Sequence, residues 1–415
     1  MNLKKFLTRL HLSIGVFIGP FIFLAAFSGA LYAFTFLAES WVYNDILTST
    51  GSGPTQSLEK QLEVGKQVIG KSGELFSIRP GLENQQTTRI LYLDKTLESS
   101  QFRTLFINPY TLELKANLIT YGSSGAMPAR MWVDLFHRDL LLGKLGRWYS
   151  ELAASWMWIS GMTGIILFVL RKKKDKNHYQ QLLNKHISLG LLSFVALVFL
   201  SITGLTWSEW AGDNILKIRN QFNWNTPSLV TKIPSLHSQN YELKTFDDVL
   251  SVARKAGINS AFIEIKPPRK EMDSWQVSEI KKAYPAESDA VSVDPTNLNI
   301  IDHLKFDDFP LMAKLTRWGI DLHMGTLFGA FNQVVIGVLS LSICLLIVTG
   351  YMLWIKSHGY KFKNTIFKEF QKLSFSERAL VMMIFIPLFL FAPLIFVSTL
   401  LILFLEESFR FFRNS

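Results

Sequence analysis

Four histidines stand at matching positions of a tandem repeat, each beside a long apolar segment. His11 and His186 each open an H-x-S-x-G motif, eighteen residues before a glycine that follows serine or threonine. His137 and His323 each lie twenty-seven residues before the glycine of a Thr-Gly pair. Imidazole nitrogen is a good ligand for haem iron, and two such ligands leave no open position for oxygen, which suits electron transfer. The pattern therefore predicts two haems held between membrane segments.

The apolar segments are too long for the core of a soluble domain. Each has the ~20 apolar residues that cross ~30 Å of hydrocarbon. We expect five spans, at 12–37, 149–170, 187–207, 334–354 and 379–405. The first span has an apolar run about twice the usual signal-peptide core, which favours an uncleaved anchor. The last segment contains two prolines and could either cross the membrane once or fold back. The tail 406–415 carries equal numbers of acidic and basic residues, so its charge does not decide between the two. We predict one crossing.

The charge pattern predicts the orientation of these spans. The N-terminus, the loop 171–186 and the connector 356–378 together carry +12, more than the net +10 of the whole chain. Short basic segments stay on the cytoplasmic side. The regions 38–148 and 208–333 are therefore expected on the outer side. Basic charge beside membrane spans interacts with lipid head groups, so nucleic acid is excluded as a partner.

This orientation sorts the four histidines by depth in the membrane. His11 and His186 open their spans at the cytoplasmic face, whereas His137 and His323 precede theirs at the outer face. Because both ligands of one haem share a depth, we expect the pairs His11/His186 and His137/His323. The simpler alternative is capping or head-group contact, which we would favour for any one histidine alone. Four histidines in duplicated register favour the ligand role, since ionisable groups near the bilayer are usually functional.

Two arginines accompany the outer histidine of the first repeat. Arg138 and Arg147 are candidates for charge-assisted bonds to a haem propionate. Anchoring of the segment at the membrane interface explains them equally well, and both interpretations stay open.

The two large loops share one plan of secondary structure. In the first, apolar spacing predicts a helix at Leu58–Ile69 and strands at 75–79, 89–94 and 104–107. In the second, it predicts a helix at 246–256 and strands at 261–266, 274–280 and 290–293. The duplication covers roughly 11–170 against 186–356.

The H-x-S-x-G openings and the stretch L-F-H-R-D-L-L-L-G-x-x-G-R-W at 135–148 resemble the PepSY-associated transmembrane family. The resemblance implies a polytopic α-helical membrane protein in which a TM–PepSY–TM unit is repeated, with two small α+β periplasmic domains. Characterised members are inner-membrane reductases of ferric siderophores, of the ferrioxamine-reductase kind, with two b-type haems. The second repeat departs from the motif, because M-G-T-L-F-G-A-F-N-Q follows His323.

Missing motifs refine this expectation. No C-x-x-C-H motif for covalent haem and no dinucleotide fingerprint is present. The haems are therefore expected to be non-covalent haem b, reduced by an external donor such as a cytoplasmic flavoprotein or a quinol. A reductase of another periplasmic acceptor, and a haem-free PepSY protein that regulates a periplasmic peptidase, remain alternatives. A permease is disfavoured because it needs polar or broken helices at mid-membrane, and Glu151, near a span end, is the only charged residue within the first four segments.

Overall fold

The structure is a computed structural model that describes residues 2–70, 72–82, 86–171, 177–233, 241–357 and 364–414. Much of the two basic connectors, at 172–176 and 358–363, lies outside the described residues. The chain forms two compact units. The first, here called the membrane unit, comprises Met1–Phe34, Val133–Asn223 and Gln333–Ser415. The second, the sheet unit, comprises Thr35–Trp132 and Trp224–Asn332.

Helices and strands alternate in long blocks. The helices are α1 Asn2–Ser13, α2 Gly19–Val42, α3 Asn44–Leu47, α4 Leu58–Ile69, α5 Pro128–Asp139, α6 Gly143–Val169, α7 His178–Leu205, α8 Trp210–Gln221, α9 Thr245–Lys255, α10 Leu311–His323, α11 Gly329–Lys356, α12 Ile366–Gln371, α13 Phe375–Phe391 and α14 Pro393–Asn414. The strands are β1 Glu74–Arg79, β2 Thr88–Leu93, β3 Gln101–Ile107, β4 Leu114–Tyr121, β5 Ile263–Lys266, β6 Trp275–Glu279, β7 Ala290–Val293 and β8 Ile300–Leu304. A π-helical turn, Ile14–Ile18, joins α1 to α2.

Four helical segments are long and apolar enough to cross a membrane: Asn2–Val42, Gly143–Val169, His178–Leu205 and Gly329–Lys356. This confirms a polytopic helical membrane protein.

The predicted fifth span differs from a single helix. It is a pair, α13 and α14, bent by 119° at Ala392. Pro393 has no N–H to continue the helix, which explains the break. The amide of Asn214 donates to the carbonyl of Phe391 at 2.9 Å, so a side chain satisfies a backbone group freed at the bend.

The π-helical turn after α1 has a sequence cause. Pro20 cannot donate to the carbonyl of Val16 four residues earlier, which a regular α-helix requires. The hydroxyl of Tyr351, on α11, donates to that carbonyl at 2.6 Å. The Tyr351 ring packs beside Gly19, where a Cβ would lie at an ordinary contact distance of 3.5 Å. A side chain of the second repeat therefore fixes the irregular turn that follows His11.

The sheet unit contains one antiparallel sheet of eight strands in the order β4-β3-β2-β1-β5-β6-β7-β8. The sequence predicts two separate domains, one for each loop. Instead, each loop supplies a four-stranded meander, and Ile78 of β1 pairs with Ile265 of β5 to join them. The Asp247 carboxylate of α9 also accepts from the backbone of Leu58 and Glu59 at the start of α4. The two halves therefore form one unit.

The two faces of this sheet differ in chemistry. One face packs with α4 and α9 into an apolar core that includes Ile78, Ile90 and Ile265. Side chains alternate across a strand, so their neighbours Arg79, Arg89 and Glu264 belong to the opposite face. That second face carries charge where the two halves of the sheet meet.

Candidate functional site

His11 and His186 lie together in the membrane unit. Their ring centroids are 6.3 Å apart, and the ring planes are inclined by 77°. His11 lies in the last turn of α1 and His186 in α7, so each repeat supplies one ring. Among the described residues, neither Nε2 atom has a hydrogen-bond partner.

The tautomer of His11 follows from the hydrogen bonds of Thr163. Nδ1 of His11 lies 3.0 Å from the Thr163 hydroxyl oxygen. That hydroxyl has one proton, which it donates back to the carbonyls of Ile159 and Ser160. Toward His11 the oxygen therefore accepts, so Nδ1 carries the proton and Nε2 keeps its lone pair. This is the form of imidazole that binds a metal, with its other nitrogen oriented by an acceptor.

His186 is held in the same way by the second repeat. Its Nδ1 lies 3.2 Å from both the carbonyl oxygen of Leu346 and the hydroxyl oxygen of Thr349. The Thr349 hydroxyl donates to Leu346 at 3.0 Å, so both groups accept from the ring. The lone pair of His186 is again on Nε2.

His137 has an equivalent partner in the first span. The Ser28 hydroxyl donates to the carbonyl of Leu24 and lies 2.9 Å from Nδ1 of His137. The backbone of His137 is fixed as well, because the Tyr149 hydroxyl donates to its carbonyl at 2.5 Å. Desolvation of this ring lowers the pKa of His137 below its ordinary value, so the imidazole is neutral at pH 7.

Each hydroxyl residue is followed by a glycine that touches the same histidine. A Cβ on Gly164, Gly350 or Gly29 would lie 3.2–3.3 Å from Cε1 of His11, His186 or His137, respectively. The dipeptide thus offers an acceptor to Nδ1 and leaves room for the ring edge. We call these three serine- or threonine-glycine pairs the histidine brackets. In the first repeat the arrangement is reciprocal. Ser28-Gly29 of α2 contacts His137, and Thr163-Gly164 of α6 contacts His11.

The comparison with known families agrees with the sequence resemblance. The family model of the PepSY-associated TM region matches residues 8–357. The chain belongs to the PepSY-associated transmembrane family. A comparison with curated proteins finds no match. The part of the chain matched to this family includes all four repeat histidines and all three histidine brackets.

The other predicted site residues of this PepSY-associated protein are placed as follows. His323 is the last residue of α10 in the sheet unit, whereas His137 belongs to the membrane unit, so their pairing stays a prediction. Arg138 donates to the carboxylate of Asp139 at 3.1 Å. Arg147 donates to the backbone carbonyl of Trp207. The propionate role of both arginines stays a prediction too.

Sequence reasoning missed Glu406 of α14. This buried carboxylate accepts from Arg9 at 2.6 Å, from the Ser13 hydroxyl and from the backbone of Ile366 at 2.7 Å. Arg9 and Ser13 lie two residues before and after His11, so Glu406 fixes the turn that carries the ring. Its only sequence signal is a carboxylate directly after a long apolar run.

Proposed function

We propose that this protein is a di-haem b-type electron-transfer protein of the bacterial inner membrane that reduces a ferric siderophore in the periplasm. The observation that carries the proposal is the His11/His186 pair. The rings belong to different repeats, their centroids are 6.3 Å apart, and both keep the Nε2 lone pair. An iron bound at about 2 Å from one nitrogen of each ring requires a centroid separation of roughly 6 Å. The residues therefore fit an axial ligand pair.

Among the described residues, no three His, Cys, Asp or Glu side chains are grouped to hold a bare metal ion. Two imidazoles are enough for haem, since the macrocycle supplies the remaining iron ligands. Haem held by these rings would supply one-electron transfer.

The chain's own contribution is to fix the rings and their protonation. Thr163 and Thr349 accept from Nδ1, which holds each ring in the ligand tautomer and raises its basicity. Gly164 and Gly350 leave space beside Cε1. Glu406 anchors α1 on both sides of His11 through Arg9 and Ser13. We assign Glu406 as a positioning residue.

The direction of electron flow follows from the charge pattern. The basic N-terminus and connectors support a cytoplasmic position for His11 and His186, where an external flavoprotein or quinol would supply electrons. His137 and His323 form the outer pair in this proposal. The acceptor is Fe(III) held by oxygen donors in a siderophore. Reduction to Fe(II) weakens these bonds and releases the metal, because hard oxygen ligands favour the more highly charged ion.

The test is an absorption spectrum of the full-length protein, purified after expression with adequate haem. We expect a b-type spectrum on reduction with dithionite and about two haems per chain. His11→Ala and His186→Ala should each reduce the content to about one. His178→Ala is the matched control, since this exposed histidine begins the same helix as His186. Its haem content should equal that of the wild type.

A second step identifies the acceptor. Dithionite-reduced protein, freed of excess reductant, is mixed anaerobically with a ferric siderophore in the presence of an Fe(II) chelator. We expect oxidation of the haem bands and stoichiometric formation of the Fe(II) chelate. Red protein that no ferric chelate oxidises would indicate a different periplasmic acceptor. Colourless wild-type protein would contradict the proposal and favour a haem-free regulator of a periplasmic peptidase.

A further inference from the structure

The sheet unit contains a cavity of about 270 Å³ on the face opposite α4 and α9. It lies where the two halves of the sheet meet, and the end of α2 and the start of α5 contribute to its wall. Four basic side chains line it: Arg79, Arg89, Arg130 and Lys282. The only acidic side chain among the lining residues is Glu39.

Two of these cations are fixed by carboxylates. Arg130 donates to both oxygens of Glu39, at 2.8 and 3.0 Å. Arg79 donates to Glu264 at 2.9 Å, but Glu264 also pairs with Lys266 at 3.1 Å, so its charge is shared. These pairs explain how the two arginines are positioned.

Arg89 and Lys282 have no such partner. Among the described residues, neither side chain forms an ion pair or a hydrogen bond. The Arg89 guanidinium lies over the Phe106 ring at 5.5 Å, which is a weak interaction compared with a carboxylate. The carboxylate that acts electrostatically on Lys282 is Asp321, which already pairs with Arg317 at 2.8 Å. The cavity therefore has an excess of positive charge.

The guanidinium groups of Arg79 and Arg89 both approach Gly125. Nη1 of Arg79 and Nη1 of Arg89 lie 2.8 and 3.6 Å from the point where a Cβ of Gly125 would stand. Gly125 has a positive φ of 60°, so glycine meets both a conformational and a spatial requirement there. Burial and the neighbouring arginines lower the pKa of Lys282 to about 8. Desolvation also lowers the pKa of Arg89 to about 10, so its guanidinium remains charged at neutral pH.

Uncompensated charge in a cavity is costly, because desolvation is not repaid by a partner. From the four cations that line the cavity, the absence of a carboxylate partner for two of them and the approach of Arg79 and Arg89 to each other, we infer that this cavity binds a small organic oxyanion, a polycarboxylate or a phosphate ester. Planar guanidinium groups match the paired oxygens of both classes.

Size and lining restrict the ligand further. The volume exceeds what a bare inorganic anion needs and lies near the low end for small-molecule sites. Phe36, Phe262 and Ile280 give part of the wall an apolar surface suited to a carbon skeleton. A soluble metabolite-sized anion and a phospholipid head group share this chemistry. The inference does not depend on haem or on the proposed reductase activity.

The test uses full-length protein in detergent and a phosphate-free buffer. Citrate and glycerol 3-phosphate are the probes, and uncharged glycerol is the ligand control, in isothermal titration calorimetry and thermal unfolding. We expect one site per chain for at least one anion, a higher Tm in its presence, and no effect of glycerol. Arg89→Gln and Lys282→Gln should each weaken binding by roughly tenfold or more, because each removes a charged hydrogen-bond donor. Lys255→Gln, at the exposed end of α9, should bind like the wild type.

Nanodiscs distinguish the two sources of the anion. If the ligand is a lipid head group, adding phosphatidylglycerol to phosphatidylcholine discs should raise Tm for the wild type but not for Lys282→Gln. If Arg89→Gln does not fold, Lys282→Gln alone decides. The inference is overturned if neither soluble anion nor phosphatidylglycerol has an effect, or if Lys282→Gln and Lys255→Gln respond alike. Binding of the anion by haem-free protein would show that this site is independent of the proposed reductase activity.

Discussion

Gly164 lies directly against the ring of His11, with only 3.3 Å between Cε1 and the position of a Cβ on the glycine. The same relationship recurs between Gly350 and His186 and between Gly29 and His137. Small residues in membrane helices usually serve close helix packing. Here they also accommodate imidazole edges, and the preceding hydroxyl fixes the tautomer. Each of these contacts joins two helices of the same repeat. The regular spacing from histidine to glycine therefore reflects this contact between the helices of one repeat.

The bracket hydroxyl of Thr163 can be tested by an isosteric change. Thr163→Val removes the acceptor from Nδ1 of His11. Loss of such a partner typically weakens metal binding about 10- to 100-fold. We expect Thr163→Val to retain less haem after purification, with an altered reduced spectrum, whereas Thr163→Ser should resemble the wild type. The matched control is Thr399→Val, whose hydroxyl makes the same back-bond to a helix carbonyl, at Ile395. Equal haem retention in Thr163→Val and Thr399→Val would contradict a role for the Thr163 hydroxyl in orienting His11.

The bracket glycine makes a separate prediction. In Gly164→Ala the new methyl group is closer to His11 than almost any relaxed contact permits, so the ring must shift by a few tenths of an ångström. We expect a lower haem content, or a changed band position, in the reduced spectrum. Gly161→Ala, one turn earlier, adds a methyl at an ordinary 3.5 Å from Phe194 and should leave the spectrum unchanged. A normal spectrum for both variants would show that the His11 ring tolerates a methyl group at position 164.

The sequence predicts the regular parts of this fold well. Apolar length and charge indicate the four long spans, and the helix Leu58–Ile69 has the predicted bounds. Strands β4 and β8 were missed, because both lie at the edges of the sheet and bury little surface. Their alternation is therefore weak, and apolar pattern is the main signal for a strand.

The joining of the two halves was less predictable. The pairing of β1 with β5 links residues separated by nearly two hundred positions, and each half alone resembles a complete small domain. The candidate site shows a similar division. The histidine register is visible in the sequence, whereas the buried carboxylate of Glu406 has meaning only when α14 is placed beside α1. Long-range partners of this kind have no local pattern.

The Tyr351 hydroxyl donates to a carbonyl of the π-helical turn after His11, and we predict that the turn requires it. Tyr351→Phe removes the donor to the Val16 carbonyl, which Pro20 cannot replace. Leaving a buried acceptor unpaired costs about 1–3 kcal/mol. We expect a loss of this size in the free energy of unfolding, measured by equilibrium denaturation in mixed micelles. Tyr179→Phe is the control, because this tyrosine is exposed on α7 and its hydroxyl has no partner among the described residues. Equal stability of both variants would show that the turn does not require Tyr351.

Glu151 is a buried carboxylate that orients α8. It accepts three backbone N–H groups, from Glu209, Trp210 and Ala211, at 2.9–3.0 Å. Glu151→Gln replaces one oxygen by an NH₂ group and removes the charge that favours a helix N-terminus. We expect a destabilisation of about 2 kcal/mol and little change for the exposed Glu113→Gln. A Glu151→Gln protein as stable as the wild type would indicate that the helix start tolerates a neutral acceptor.

The lowered pKa of Lys282 predicts how stability depends on pH. Its ammonium faces Arg79 of β1, Arg130 of α5, and Arg317 and Asp321 of α10. Folding lowers the pKa of Lys282 from 10.5 to about 8, so charging the amine opposes folding. Between about pH 8 and 10 the unfolded chain keeps a proton that the folded chain releases, and stability from this group rises with pH.

We therefore expect Lys282→Met to be more stable than the wild type at pH 7 and to lose that advantage as the pH approaches 10. Thermal unfolding of the two proteins across pH 6.5–10 measures this difference, with Lys255→Met as the control for removing an exposed amine. The anion sought in the cavity should reduce the advantage of Lys282→Met at pH 7, because a bound negative charge stabilises the ammonium. A constant difference between Lys282→Met and the wild type at every pH would show that the Lys282 amine does not titrate in this range.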